Sequence, residues 1–109
     1  MQRMGQVIHI KPEKIEQYKK LHADVWDDVL AMIRTCNIKN YSIFLREPEN
    51  MLFAYFEYHG DDFQADMQKM ADDPTTQQWW AVCMPCQQPL ESKSEDEWWA
   101  NMESVFYHP

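Results

Sequence analysis

The chain has 109 residues, 45% of them apolar and 26% charged, with 18 acids against 10 bases and a net charge of −8. That length and balance give one soluble globular domain over residues 1–109, with a core of modest size. The negative charge argues against nucleic acid, which needs a basic footprint, and against an anionic membrane surface; no apolar run of roughly 18 residues exists to span a bilayer.

At the N-terminus, Gln2, Arg3, Gln6, His9 and Lys11 interrupt anything that could serve as the apolar core of a signal peptide. Gln6–Ile10 alternates and is rich in β-branched residues, so it reads as a first strand. Pro12 suits the first turn of a helix, and Glu13 suits its positive end. The spacing of Ile15, Tyr18, His22, Val25, Trp26, Val29 and Ile33 keeps one face of a helix and predicts a single helix from about Glu13 to Thr35. Asn37 can take the left-handed conformation that ends it.

Asn40–Leu45 reads as a second strand, with Tyr41, Ile43 and Leu45 on one face. The polar stretch around Pro48 reads as a hairpin loop. Met51–Tyr58 is almost continuously apolar, as expected of a central strand buried on both faces. Gly60-Asp61-Asp62 breaks that strand and caps a short helix that turns Phe63, Met67 and Met70 inward. Asp73-Pro74 opens another helix, which passes through Trp79-Trp80 to about Met84, where Pro85 stops it. Gln87–Asp96 is a polar excursion, Glu97–Asn101 a helical turn, and Ser104–His108 a last strand. The order β-α-β-β-α-β predicts an α+β, ferredoxin-like antiparallel sheet with helices on one face. The open face then needs a cover, and a second copy of the chain is the usual one, so a homodimer is expected.

The chemistry-bearing residues gather on the first helix. Tyr18 and His22 are four apart and can address the same point. A single histidine on an apolar stripe is more often a hydrogen-bonded core residue than a catalyst, yet imidazole is the side chain best suited to exchange protons near neutrality. Tyr41 adds a hydroxyl if its face of the second strand meets that helix. Trp79 and Trp80 offer indole faces and N–H donors of the kind that suit a neutral polyol. Consecutive helical residues point about 100° apart, so one indole is expected to wall a sugar while the other supports it, with Trp79 favoured as the wall. Cys83-x-x-Cys86 closes a helix instead of opening one, which removes the usual ground for a reactive thiol. With Cys36 the only other cysteine, neither a disulfide framework nor a structural zinc is expected, and a reducing cytoplasm fits.

Taken together, Tyr18-x-x-x-His22, Asn40-Tyr41, Trp79-Trp80 ahead of Met84-Pro85, and the terminal Val105-Phe106-Tyr107-x-Pro109 resemble the L-rhamnose mutarotase family. The resemblance implies a cytoplasmic, dimeric ferredoxin-like protein without metal or cofactor that interconverts the α and β anomers of L-rhamnose. It further implies that His22 is the acid/base and that Tyr18, Tyr41, Trp79 and Trp80 bind the sugar. The Trp98-Trp99 segment, the two late cysteines and the acidic loop depart from the pattern near the end expected to enclose the sugar. L-fucose or another 6-deoxy sugar is the alternative substrate. A ferredoxin-like monooxygenase and a non-catalytic sugar-binding module are the alternative functions.

Overall fold

The computed structural model describes all residues, 1–109. Five strands form one sheet: β1 (Gln2–Ile10), β2 (Ile38–Arg46), β3 (Met51–Tyr58), β4 (Gln87–Gln88) and β5 (Ala100–Met102). Their order is β2-β3-β1, and β1 carries both β4 and β5 on its other edge, all pairs antiparallel. Four helices accompany it: α1 (Ile15–Ala23), α2 (Asp27–Thr35), α3 (Phe63–Asp72) and α4 (Pro74–Cys83). This is the expected ferredoxin-like α+β arrangement.

Pleating divides the sheet residues between two faces. Ile8, Ile10, Leu52, Ala54, Phe56 and Tyr58 are buried beneath the helices. Val7 pairs with Phe53 and Gly5 with Tyr55 on the opposite face, where Phe44, Phe53 and Met102 stand exposed. The structure therefore corrects the reading of β3 as buried on both faces. It is central in the sheet, but helices cover only one side of it.

Four further expectations change. β1 begins at Gln2 instead of Gln6, because Gln2 to His9 pair continuously with Tyr58 to Met51. The single helix over Glu13–Thr35 is two helices. Asp24 leaves helical geometry at φ −147°, ψ 64°, and Trp26 is extended at φ −60°, ψ 136°. Asp27 and Asp28 then favour a new N-terminus for α2, beside its unpaired N–H groups. The helical turn over Glu97–Asn101 is replaced by strand β5. Finally, Ser104–His108 forms no strand: β4 and β5 already occupy the edge of β1, which leaves Val105 and Phe106 88% and 81% exposed.

The cap residues behave as expected. Asp62 accepts from the backbone N–H of Ala65, and Asp73 from both the N–H and the hydroxyl of Thr76. Asn37, Asn40 and Asn50 all have positive φ, the backbone region asparagine tolerates best after glycine. A second small core forms around Tyr58, whose hydroxyl donates to the buried Asp66 carboxylate at 2.6 Å, while Asn37 Nδ2 donates to the same oxygen at 3.0 Å. A Cβ at Gly60 would collide with Tyr58 and Asp66, so glycine is required where the chain passes that pair.

Candidate active site

α1 positions Tyr18 and His22 through its own repeat. They sit one turn apart, with rings stacked at a centroid distance of 4.1 Å. His22 Nδ1 lies 2.9 Å from the backbone carbonyl oxygen of Tyr18. A carbonyl only accepts, so Nδ1 carries the hydrogen and Nε2 is left with its lone pair. Burial pulls the His22 pKa below its ordinary 6.5, against the smaller opposing effect of that hydrogen bond. The neutral imidazole with a basic Nε2 is thus the prevailing form near neutrality.

The break after α1 matters to the site. It turns Trp26 outwards from the α1 direction so that its ring meets Trp79 edge to face at 5.2 Å. Trp79, buried on α4, in turn meets the edge of the His22 ring, also at 5.2 Å. Two helices and one interruption therefore clamp the imidazole between Tyr18 and Trp79. Trp80, one residue further along α4, is 37% exposed and stacks on none of these rings.

A β-bulge brings in Tyr41. Lys39 pairs with Glu57 and Ser42 with Tyr55, so Asn40 and Tyr41 together face Phe56. The extra residue places Ile38 and Tyr41 towards the same helix-covered side, although three positions apart along the strand. The Tyr41 ring packs 5.5 Å from that of Phe56. The residue as a whole is half-exposed, yet its hydroxyl end is enclosed. Burial, with the nearby Cys83 thiol, pushes its pKa up to about 12. Burial likewise raises that of Tyr18, with the neighbouring Tyr41, Cys83 and Cys86 adding to the rise and a hydrogen bond from Gln87 opposing it. Both phenols are therefore protonated donors at neutral pH.

Beside Tyr18 and His22 a cleft of about 290 Å³ opens between α1 and the sheet. Its floor is Ile10, Ile43, Leu45 and Leu52. Ile15, Tyr18, Lys19, His22 and Ala23 form its α1 wall. Pockets for drug-sized ligands run from about 300 to 1,000 Å³, so this one suits something small. The structure thus gathers His22, Tyr18, Tyr41 and Trp79 around one point, while Tyr41, Trp79 and Trp80 do not line the cleft itself.

The reading of the sequence missed Gln87 altogether and, although it singled out the Trp98-Trp99 segment, gave Trp98 no role in the site. Gln87 is buried on β4 and donates through Nε2 to the Tyr18 hydroxyl oxygen at 3.2 Å. Trp98 donates its indole N–H to Gln87 Oε1 at 2.7 Å. Cys83 and Cys86 are buried free thiols, and burial pushes Cys83 up to about 12, so it is a thiol and not a thiolate.

Comparison with known proteins bears on the family and the fold. The family profile described as L-rhamnose mutarotase matches residues 3–108. Named L-rhamnose mutarotases include one from Oceanobacillus iheyensis, 31% identical over 88% of this chain and 86% of its own. Another, from Listeria monocytogenes, is 30% identical over 98% of both chains. Among solved structures, an L-rhamnose mutarotase from Formosa agariphila superposes with a TM-score of 0.78 at 21% identity, over the whole of both chains. A polyketide cyclase from Streptomyces glaucescens, the tetracenomycin F2 cyclase, superposes at 0.75 with 14% identity, over 100% of this chain and 98% of its own, which shows a shared fold. A profile match from the first strand to the penultimate residue, together with relatives aligned almost end to end, makes this chain a member of the L-rhamnose mutarotase family.

Proposed function

We propose that this chain, as a single domain over residues 1–109, interconverts the α and β anomers of L-rhamnose by opening and closing the pyranose ring. The observation that carries the mechanism is the imidazole of His22, held with Nδ1 on the Tyr18 carbonyl and Nε2 unprotonated beside a small cleft. His22 Nε2 takes the proton of the C1 hydroxyl. The C1–O5 bond breaks as O5 is protonated, giving the open aldehyde. Rotation about C1–C2 presents the other carbonyl face, and the same steps reversed close the ring.

The tyrosines serve as donors and relays. Their raised pKa values make a free phenolate costly, so Tyr18 and Tyr41 pass a proton and regain one without holding charge. The aliphatic floor of Ile10, Ile43, Leu45 and Leu52 suits the C6 methyl of a 6-deoxy sugar better than a hydroxymethyl, whose hydroxyl would be buried unpaired. This reading reverses the expectation that Trp79 walls the sugar: buried Trp79 backs His22, and the exposed Trp80 is the indole free to meet the outer edge of the sugar. No step calls for a metal or cofactor.

The assembly we propose is a homodimer through the open sheet face. Phe44, Phe53 and Met102 crown that face, and polar Arg3, Lys39, Arg46 and Glu57 surround them, as a self-complementary interface requires. The three buried free thiols support a cytoplasmic setting. Saturation-transfer NMR of anomer exchange across a panel of monosaccharides tests the function. Acceleration of L-rhamnose above L-fucose and glucose is expected, and no acceleration of any 6-deoxy sugar would overturn it.

A further inference from the structure

Gln87 and Trp98 lie outside the chemistry just described, and the Trp98–Gln87–Tyr18 chain they complete has a direction. An indole N–H can only donate. Trp98 Nε1 sits 2.7 Å from Gln87 Oε1, so the amide oxygen is committed to Trp98 and the amide nitrogen must face Tyr18. No other orientation of the amide satisfies the indole. Gln87 is itself buried, so the amide has no water with which to trade partners. The Tyr18 oxygen therefore receives a hydrogen from Gln87, and its own hydrogen must go elsewhere, towards the site it shares with Tyr41.

We propose that Gln87, its amide oriented by Trp98, is a positioning residue that holds Tyr18 as a hydrogen-bond donor to the sugar during ring opening. This rests on the assignment of Tyr18 to the site. An acceptor in place of the Gln87 amide N–H would draw the phenol hydrogen away from the sugar and leave the ring oxygen without its donor. The titratable groups around the amide are Tyr18, with Tyr41, Cys83 and Cys86 beyond it and Lys11 and Lys14 near Cys86.

The test is Gln87→Glu, which keeps the size but exchanges the donor for an acceptor. Ionised, the new carboxylate accepts from both Trp98 and Tyr18. Protonated, it can donate to Tyr18 as the amide does. At pH 8 the variant is expected to lose about 10–100-fold in kcat with KM changed by less than about three-fold, the pattern of a lost transition-state interaction. The ratio of variant to wild-type kcat should rise as pH falls towards 5, a trend that mere structural damage would not produce. Trp98→Phe, which frees the amide to flip, should lower kcat several-fold with an unchanged far-UV circular dichroism spectrum. In a Tyr18→Phe background, Gln87→Glu should cost nothing further at pH 8. A flat ratio across pH, or an undiminished loss in that background, would overturn the inference while leaving the site assignment standing. Full activity of Tyr18→Phe alone would overturn both. If Gln87→Glu fails to fold, Gln87→Leu and the Tyr18→Phe background decide the matter by the same additivity.

Discussion

Replacing His22 with alanine separates chemistry from stability. A positioned acid/base contributes about 10²–10⁴-fold to rate, which is about 2.7–5.5 kcal/mol of barrier. The structural cost is smaller. The substitution removes the Tyr18 stack and the Trp79 edge contact, each worth about 0.5–1.5 kcal/mol, and one hydrogen bond to the Tyr18 carbonyl, worth a similar amount. A loss of about 2–4 kcal/mol falls within the margin of about 5–15 kcal/mol typical of a small domain, so the variant should fold. Saturation-transfer NMR on L-rhamnose should show anomer exchange slowed by two to four decades, with near-native circular dichroism. The wild-type rate should also fall on acidification. The active form is neutral, so activity is lost as His22 protonates at a pH below its ordinary 6.5. The unfolded chain protonates this residue at higher pH than the folded one, so stability declines over the same interval. A folded His22→Ala protein that retains near-full activity, or a rate that rises through that interval, would refute the assignment.

Sedimentation at micromolar concentration should show a dimer, with a total buried area on the order of 1,200–2,000 Å² or more; Phe53→Arg, which puts a charge at the centre of the open face, should yield monomer, and a monomeric wild type would defeat the reading. Trp79→Phe should lower both melting temperature and rate, at a stability cost of about 1–3 kcal/mol. Trp80→Phe should instead reduce the sugar-induced fluorescence change with little effect on melting, and equal losses in both measurements for the two variants would remove the division of roles. Chelator or reductant should change the rate by no more than a few-fold, because Cys83 is held as a buried thiol; a large loss on chelation would point to a metal.

What the sequence made legible was local. The β3 boundaries agree from Met51 to Tyr58 because turn residues fence an apolar run that only Glu57 interrupts. The Asp62 and Asp73 caps agree because a cap is set by a handful of adjacent residues. The break between α1 and α2 was hidden for a definite reason. Val25, Val29 and Ile33 still pack against the core, so the apolar period persists through three residues that are not helical. β4 and β5 were hidden because two or three residues cannot display an alternation; they are strands only because β1 offers an edge. The tail erred in the opposite sense. Val105-Phe106-Tyr107 has strand composition, but composition does not supply a pairing partner. Tyr107 instead lies under the Arg3 guanidinium, 3.4 Å from the ring centroid.

The same division runs through the site. The Tyr18–His22 pair could be read because a helix repeat places it, whereas Gln87 meets Tyr18 from 69 residues away and carries no signature of its own. Its importance follows only from the electrostatic character of the completed site. Burial raises Tyr18, Tyr41 and Cys83 and lowers His22, so each is driven to its neutral form near pH 7. Lys19, the one charged residue lining the cleft, keeps its side chain 54% exposed and only 3.8 Å from Glu16, so its charge stays in water. A buried ion pair there would require compensating partners that the aliphatic floor does not offer. In a site without fixed charge, transition-state stabilisation depends on which groups donate and which accept. Hydrogen-bond direction then has to be enforced by groups whose roles cannot reverse. The Tyr18 carbonyl, which can only accept, sets the His22 tautomer, and the Trp98 indole, which can only donate, sets the Gln87 amide. Such a site is matched to a reaction that starts and ends with a neutral sugar and moves only protons between its oxygens.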